Sequence, residues 1–480
     1  MNTRMSTRIS TRMSTHMSTR MRVLAPLLAL SLKMGLAQLA PVLLGLYMAR
    51  LVAVHGTVLF AAYLLVNAVN TTVYVAVSSM LQSLYFVGGR AIGRGEPARY
   101  RAAILAGVVL AAVLGILGAV ASAGIGPVLA WLHMDAGLAG AALPLGLVAT
   151  LAVLPMPLLV VYRVHAALNG RAGLVMLMSV GGALLAAALA GMGAAGASPV
   201  QAALRIVWYG VAVNWLMVAL AGISCGAMPA LRIPRAELAA ARPALGTALR
   251  EVVSVGWPIG AVVLLDSLAA LVSSLLVSAF WLEWSALHMA VLLLVTVMLI
   301  GPLGIAQAAV QRVAVLHAQG LLAERNRVGA WALALGLLFG LAVLAPAALW
   351  PAPALALLLT PADLAAAMPL LAPVTLLGAV LLLLQALIVI AAALLRGIGQ
   401  TRAPLRQAFF GYMVVASGAQ LVLGPWLGVG LLGIWYGLLA GFGATTVAVL
   451  WRCYREFRLP ALAGSAPPLS SSHPTQEIQA

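Results

Sequence analysis

Uninterrupted apolar stretches, most of them about twenty residues or longer, recur along this chain and are separated by short groups of Arg, Gly and Pro. In the first half they cover roughly residues 23–48, 57–84, 102–124, 138–162, 172–194 and 203–224. In the second half they cover 252–280, 285–311, 329–350, 369–395, 405–425 and 431–451. A helix of that length crosses the ~30 Å hydrocarbon layer of a bilayer. Backbone in lipid must bond to itself, and the period-2 alternation of a membrane barrel strand is missing, so all twelve runs are predicted to be helices. The predicted fold class is an all-α integral membrane protein.

Composition agrees. Of 480 residues, 64% are hydrophobic and 8% charged, where a soluble domain carries about 25% charged residues. Mean hydropathy is +1.10, which excludes a globular domain on a single anchor. The net charge of +17 falls in short groups between apolar runs, without a basic domain interleaved with aromatics, so no nucleic-acid partner is expected. The charge is better read as orientation. With the N-terminus inside, the inner loops carry most of the arginines, from Arg90, Arg94, Arg99 and Arg101 to Arg452, Arg455 and Arg458, while the outer loops hold only Arg50 and Arg205. Both termini are thus expected to be cytoplasmic, and the Ala/Arg-rich bias suggests a bacterial plasma membrane. Cys225 and Cys453 fall at inner helix ends, with no metal-ligand spacing and no expected disulfide. Residues 1–22 repeat a basic Met-Ser-Thr-Arg unit without a core-forming pattern and are expected to be disordered, with Met21 a candidate start; the Ser/Pro-rich tail 456–480 is expected to be disordered too.

An internal repeat divides the apolar part. Gly93-Arg94-Gly95-Glu96 is echoed by Ala318-Gln319-Gly320, and Leu168-Asn169-Gly170-Arg171 by Arg396-Gly397-Ile398-Gly399. Six helices separate each pair, so both copies enter the membrane in the same direction. That predicts two pseudo-symmetric six-helix bundles around a central cavity, 23–224 and 252–455, joined by a cytoplasmic linker 225–251. Gly93–Gly95 is not a phosphate loop, because a preceding strand and a Lys-Ser/Thr ending are both missing.

Against this apolar background a few polar residues stand out. Asp266 is the carboxylate set deepest in a hydrophobic run, and an ionised Asp at mid-bilayer costs roughly 2.5–3.5 kcal/mol or more, so it reads as an ion or proton site. Lys33 lies about 15 Å into the first helix at 1.5 Å per residue. It either faces the cavity, paired with Asp266, or snorkels to the interface. In the second helix Asn67, Asn70 and Tyr74 fall at i, i+3 and i+7 and give one face a polar stripe, read as cavity lining. Gln38, Gln307, Gln311, Tyr412, Gln420 and His288 are further candidates for lining. Met residues and the Gly/Ala-rich fifth helix read as packing, and Pro155, Pro157 and Pro302 are expected to bend helices four and eight. Scattered histidines without paired acids, and cysteines without a nearby base, give no support to an enzyme.

Several strings taken in order resemble the multidrug and toxic compound extrusion (MATE) family of antiporters, within a wider superfamily that includes polysaccharide flippases. They are Gly256-Trp257-Pro258-Ile259-Gly260, Ala286-Leu287-His288-Met289-Ala290, Gly301-Pro302-Leu303-Gly304-Ile305-Ala306-Gln307 and Leu395-Arg396-Gly397-Ile398-Gly399-Gln400, and the likeness spans about residues 23–455. The resemblance implies alternating-access export of small organic compounds from a lipid bilayer, with no cofactor beyond a coupling ion, H⁺ or Na⁺, in a monomer. A flippase for lipid-linked saccharide is the alternative. The chain departs from the family at its N-terminal ion site, where Leu44-Gly45-Leu46-Tyr47-Met48 holds no acid, while Gln385 stands where some members have one in helix ten. Asp266 falls where members carry a C-terminal acid. One carboxylate plus Gln385 makes a poor Na⁺ cage, whereas protonation needs no cage, so H⁺ is the favoured coupling ion.

Overall fold

The computed structural model describes residues 2–124, 127–128, 131, 136–193, 198–356 and 358–463. Twelve helices long and apolar enough to cross a membrane follow one another. They are α1 (Val23–Ala53), α2 (Val58–Gly93), α3 (Pro97–Ala123), α4 (Gly137–Leu168), α5 (Ala172–Met192) and α6 (Pro199–Ala227), then α7 (Arg235–Phe280), α8 (Leu282–Ala318), α9 (Leu322–Leu349), α10 (Pro361–Gly397), α11 (Arg402–Trp426) and α12 (Leu431–Phe457). Every predicted span is present. Several helices run further than their apolar core, and the extra turns carry arginines and glutamates, as at Arg235–Glu251 of α7. The helix of α1 begins at Asn2 and takes in the basic repeat. The repeat contains no Gly or Pro to break a helix already propagating back from Val23. The tail 464–480 lies outside the described residues.

The internal repeat appears in the loops. Gly95, Gly170, Gly320 and Gly399 all take left-handed φ, from +66° to +84°. In each loop the amide of the next residue donates back across the turn: Glu96 to Ala91, Arg171 to Ala166, Leu321 to Leu316 and Gln400 to Leu395. These are glycine-terminated helix ends of one kind, satisfying carbonyls that the helix leaves unpaired. They recur after the second and fourth helices of each bundle.

Two bends have identifiable causes. Pro155 cannot donate to Leu151, and the Trp215 indole of α6 donates to that freed carbonyl at 3.0 Å. In α8 the α-helix is interrupted at Leu299, three residues before Pro302. The interruption of α2 at Gln82 has no proline; it follows the pair Ser78-Ser79, of which Ser78 bonds back to the Val75 carbonyl. In α11 the segment Phe409–Ala416 is wound as a π-helix.

The bundles press together through small residues. A Cβ on Gly304 of α8 would come within 2.6 Å of the Ser31 carbonyl of α1. One on Gly256 of α7 would come 2.5 Å from the Met80 carbonyl of α2, and one on Gly89 of α2 would lie 3.0 Å from Ala314 of α8. Polar links join the same region: Arg90 pairs with Glu251, Arg396 donates to Gln82 at 3.4 Å, and Gln311 donates to the Ala167 carbonyl at 2.6 Å. All of these contacts lie in the halves of the helices nearest the arginine-rich loops. That face is closed.

Candidate functional site

Two groups of polar side chains within the membrane-spanning helices stand out, one in each bundle. In the C-terminal bundle Gln385 of α10 donates to a carboxylate oxygen of Asp266 at 3.3 Å. The two residues come from helices running in opposite directions, and each sits near the middle of its span. Tyr412 of α11, also in this bundle, is 2% exposed and stacked on Phe442 at 4.3 Å. The other amide atom of Gln385 is buried without a partner. Such an orphan in low dielectric carries a cost, and a proton or an ordered water on the neighbouring carboxyl would relieve it.

In the N-terminal bundle a cavity of about 230 Å³ is bounded by α1, α2, α4, α5 and α6. Its polar groups are Tyr63, Asn67, Asn70, Thr71 and Tyr74 from α2, Ser179 from α5 and Asn214 from α6. Pro41, Leu44, Gly45 and Met48 of α1, with Met156 and Met217, supply much of its apolar wall. Asn70 is held by the Ser122 hydroxyl, which donates to its side-chain oxygen. Asp, Glu, Lys, Arg and His are all absent from the described lining. This has an energetic consequence. Burying an unpaired ion costs several kcal/mol, whereas a cation over a tyrosine face gains about 0.5–2 kcal/mol. Tyr63 and Tyr74 together do not replace a counter-charge.

The remaining predicted residues lie elsewhere. Lys33 forms no ion pair with Asp266 among the described residues; a Cβ added to Gly173 at the start of α5 would lie 4.0 Å from its Cε. Gln38 bonds the Met34 carbonyl of its own helix at 3.4 Å. Gln307 is buried in α8, three residues from the Gly304 contact, with its side-chain oxygen unpartnered. His288 is fully buried, 3.4 Å from the Ser273 hydroxyl and edge-on to Trp435 at 5.4 Å. Gln420 is also fully buried, with both amide atoms unpartnered. Sequence reasoning took α5 as packing, yet Ser179, Gly182, Ala183 and Ala186 line the cavity, because small side chains leave room for it. Asn214, an amide alone in the apolar run of α6, carried the same signal as Asn67 and was missed. Among the described residues no three His, Cys, Asp or Glu side chains gather as metal ligands.

No family model matches this sequence. It is 26% identical over 440 residues to a probable multidrug resistance protein NorM of Rhizobium meliloti, covering 90% of this chain and 93% of that protein. It is 32% identical over 224 residues to the multidrug resistance protein NorM of Burkholderia vietnamiensis, where the match spans only 47% of the relative. Among solved structures, the fold resembles an outward-facing multidrug resistance MATE family transporter, with TM-score 0.80 and 19% identity, covering 92% of this chain and 96% of that one. It also resembles the eukaryotic MATE transporter AtDTX14, with TM-score 0.78 and 15% identity, covering 92% and 99%.

Proposed function

We propose that this chain, a member of the multidrug and toxic compound extrusion family, is a secondary active exporter of small organic compounds. Its two bundles alternate about a closed and an open face, and entry of H⁺ drives the cycle. In this reading Asp266 carries the proton and Gln385 positions it, while the cavity bounded by Asn67, Asn70, Tyr74 and Asn214 receives the substrate. The observation that carries the reading is the carboxylate of Asp266 deep in an apolar run, held by one amide and, among the described residues, without a cationic partner. An acid there has a large insertion cost unless it gains and loses a proton as part of its work. Na⁺ fits less well, since Asp266 and the free oxygen of Gln385 supply too few ligands for a hard cation.

The contacts at the arginine-rich face support a state closed on that side; in this reading that side faces the cytoplasm with both termini, and the chain works as a monomer in a bacterial plasma membrane. The flippase alternative asks for cationic side chains to meet a lipid-linked phosphate, and the lining of the cavity holds none. The test is transport in proteoliposomes under an imposed ΔpH or ΔNa⁺. Wild-type protein is expected to respond to ΔpH, and Asp266→Asn to lose at least nine-tenths of that response while still binding substrate. Full ΔpH-driven export by the variant would remove Asp266 from the coupling.

A further inference from the structure

The substrate cavity and the coupling carboxylate of the proposed exporter are in different bundles, and no charged residue is among the cavity's described lining. Its described lining offers hydrogen bonds alone: the amides of Asn67 and Asn214 and the hydroxyls of Tyr63, Thr71, Tyr74 and Ser179. The walls between them are Met, Val, Leu and Ala, an adaptable apolar surface. Asp266 is not among the lining residues and is engaged by Gln385. A cationic substrate seated here would leave its hydration shell without meeting an opposite charge. An uncharged molecule with carbonyl, amide or hydroxyl groups would exchange water for the asparagine and tyrosine partners and bury its apolar part against the methionines.

We infer that this cavity selects uncharged, hydrogen-bonding amphipathic molecules over organic cations, and that their exchange for a coupling cation moves net charge across the membrane. The inference rests on the exporter reading above and adds the substrate class. Charge balance gives the second half. When a neutral molecule leaves and one H⁺ enters, one positive charge crosses inward per cycle, so a potential negative inside accelerates export. A monovalent cation exchanged for one H⁺ would move no net charge.

The experiment uses the full chain in proteoliposomes with a fixed ΔpH, chloramphenicol as the neutral probe and ethidium as the cationic one, with and without a potassium–valinomycin potential. Chloramphenicol transport is expected to exceed ethidium transport at least tenfold and to rise at least threefold with the potential. Asn214→Asp and, separately, Asn67→Asp place a carboxylate in the cavity. At least one of them is expected to raise the ethidium-to-chloramphenicol ratio tenfold or more. Export of ethidium in preference to chloramphenicol by the wild type, or a chloramphenicol rate indifferent to potential, would overturn the inference and leave the exporter reading standing. If neither probe moves under any gradient, the exporter reading falls and the inference with it.

Discussion

Single residues divide by whether their position along a helix also decides their direction. Asp266 and Gln385 were legible because a polar side chain near the middle of a span has no route to water and must find a partner, which each does in the other. The same logic found the stripe of Asn67, Asn70 and Tyr74, and would have found Asn214. Lys33 is different. Its long stem lets the ammonium group leave the depth of its Cα, so a mid-helix position does not by itself fix a mid-membrane charge. Because Lys33 is exposed and has no ion pair to Asp266 among the described residues, Lys33→Met is expected to leave substrate preference unchanged and transport within about twofold of wild type, the range of an ordinary surface substitution. Initial rates for the two probe compounds are the measurement, and a change of preference would return Lys33 to the cavity.

At the level of elements, the twelve helices were readable from hydropathy alone, and so were the proline-linked bends in α4 and α8. The interruption of α2 and the π-wound segment of α11 were not, since their local signals, the pair Ser78-Ser79 and Gly411, have counterparts such as Ser273-Ser274 and Gly260 that sit in unbroken helix. Close approach of helices is likewise hidden in the sequence, where Gly304 is one glycine among 47. The structure singles it out, because a side chain there would meet the backbone of α1 at Ser31 and Gly35 and not a movable side chain. Gly304→Val is therefore expected to disfavour the arrangement closed at the arginine-rich face, with the roughly 1–3 kcal/mol typical of overpacking. Labelling of single cysteines placed along that face should rise, and transport should slow because one half of the cycle is less populated. Unchanged labelling would mean that α1 and α8 separate at little cost.

For the whole molecule, the repeated loops made two like bundles visible, but their polar sites differ: one bundle has a cavity whose described lining is uncharged, the other an acid deep in an apolar run. In the proposed cycle motion must be shared between them, since a proton on Asp266 would influence the cavity by shifting the bundles against each other. Arg90 and Glu251 belong to that coupling. They come from α2 and α7, lie at the closed face and pair across it, each about one-third exposed. Solvent at that exposure limits such a pair to about 1 kcal/mol or less, enough to bias the two states roughly fivefold without locking either. Glu251→Gln is thus expected to raise accessibility at the arginine-rich face severalfold with a small loss of thermal stability. The charge-swapped pair, Arg90→Glu with Glu251→Arg, should restore the wild-type level. Cysteine labelling on the single, reciprocal and double variants measures this directly. If the double variant labels like the sum of the two single ones, the pair does not hold the face, and the glycine contacts alone must do so.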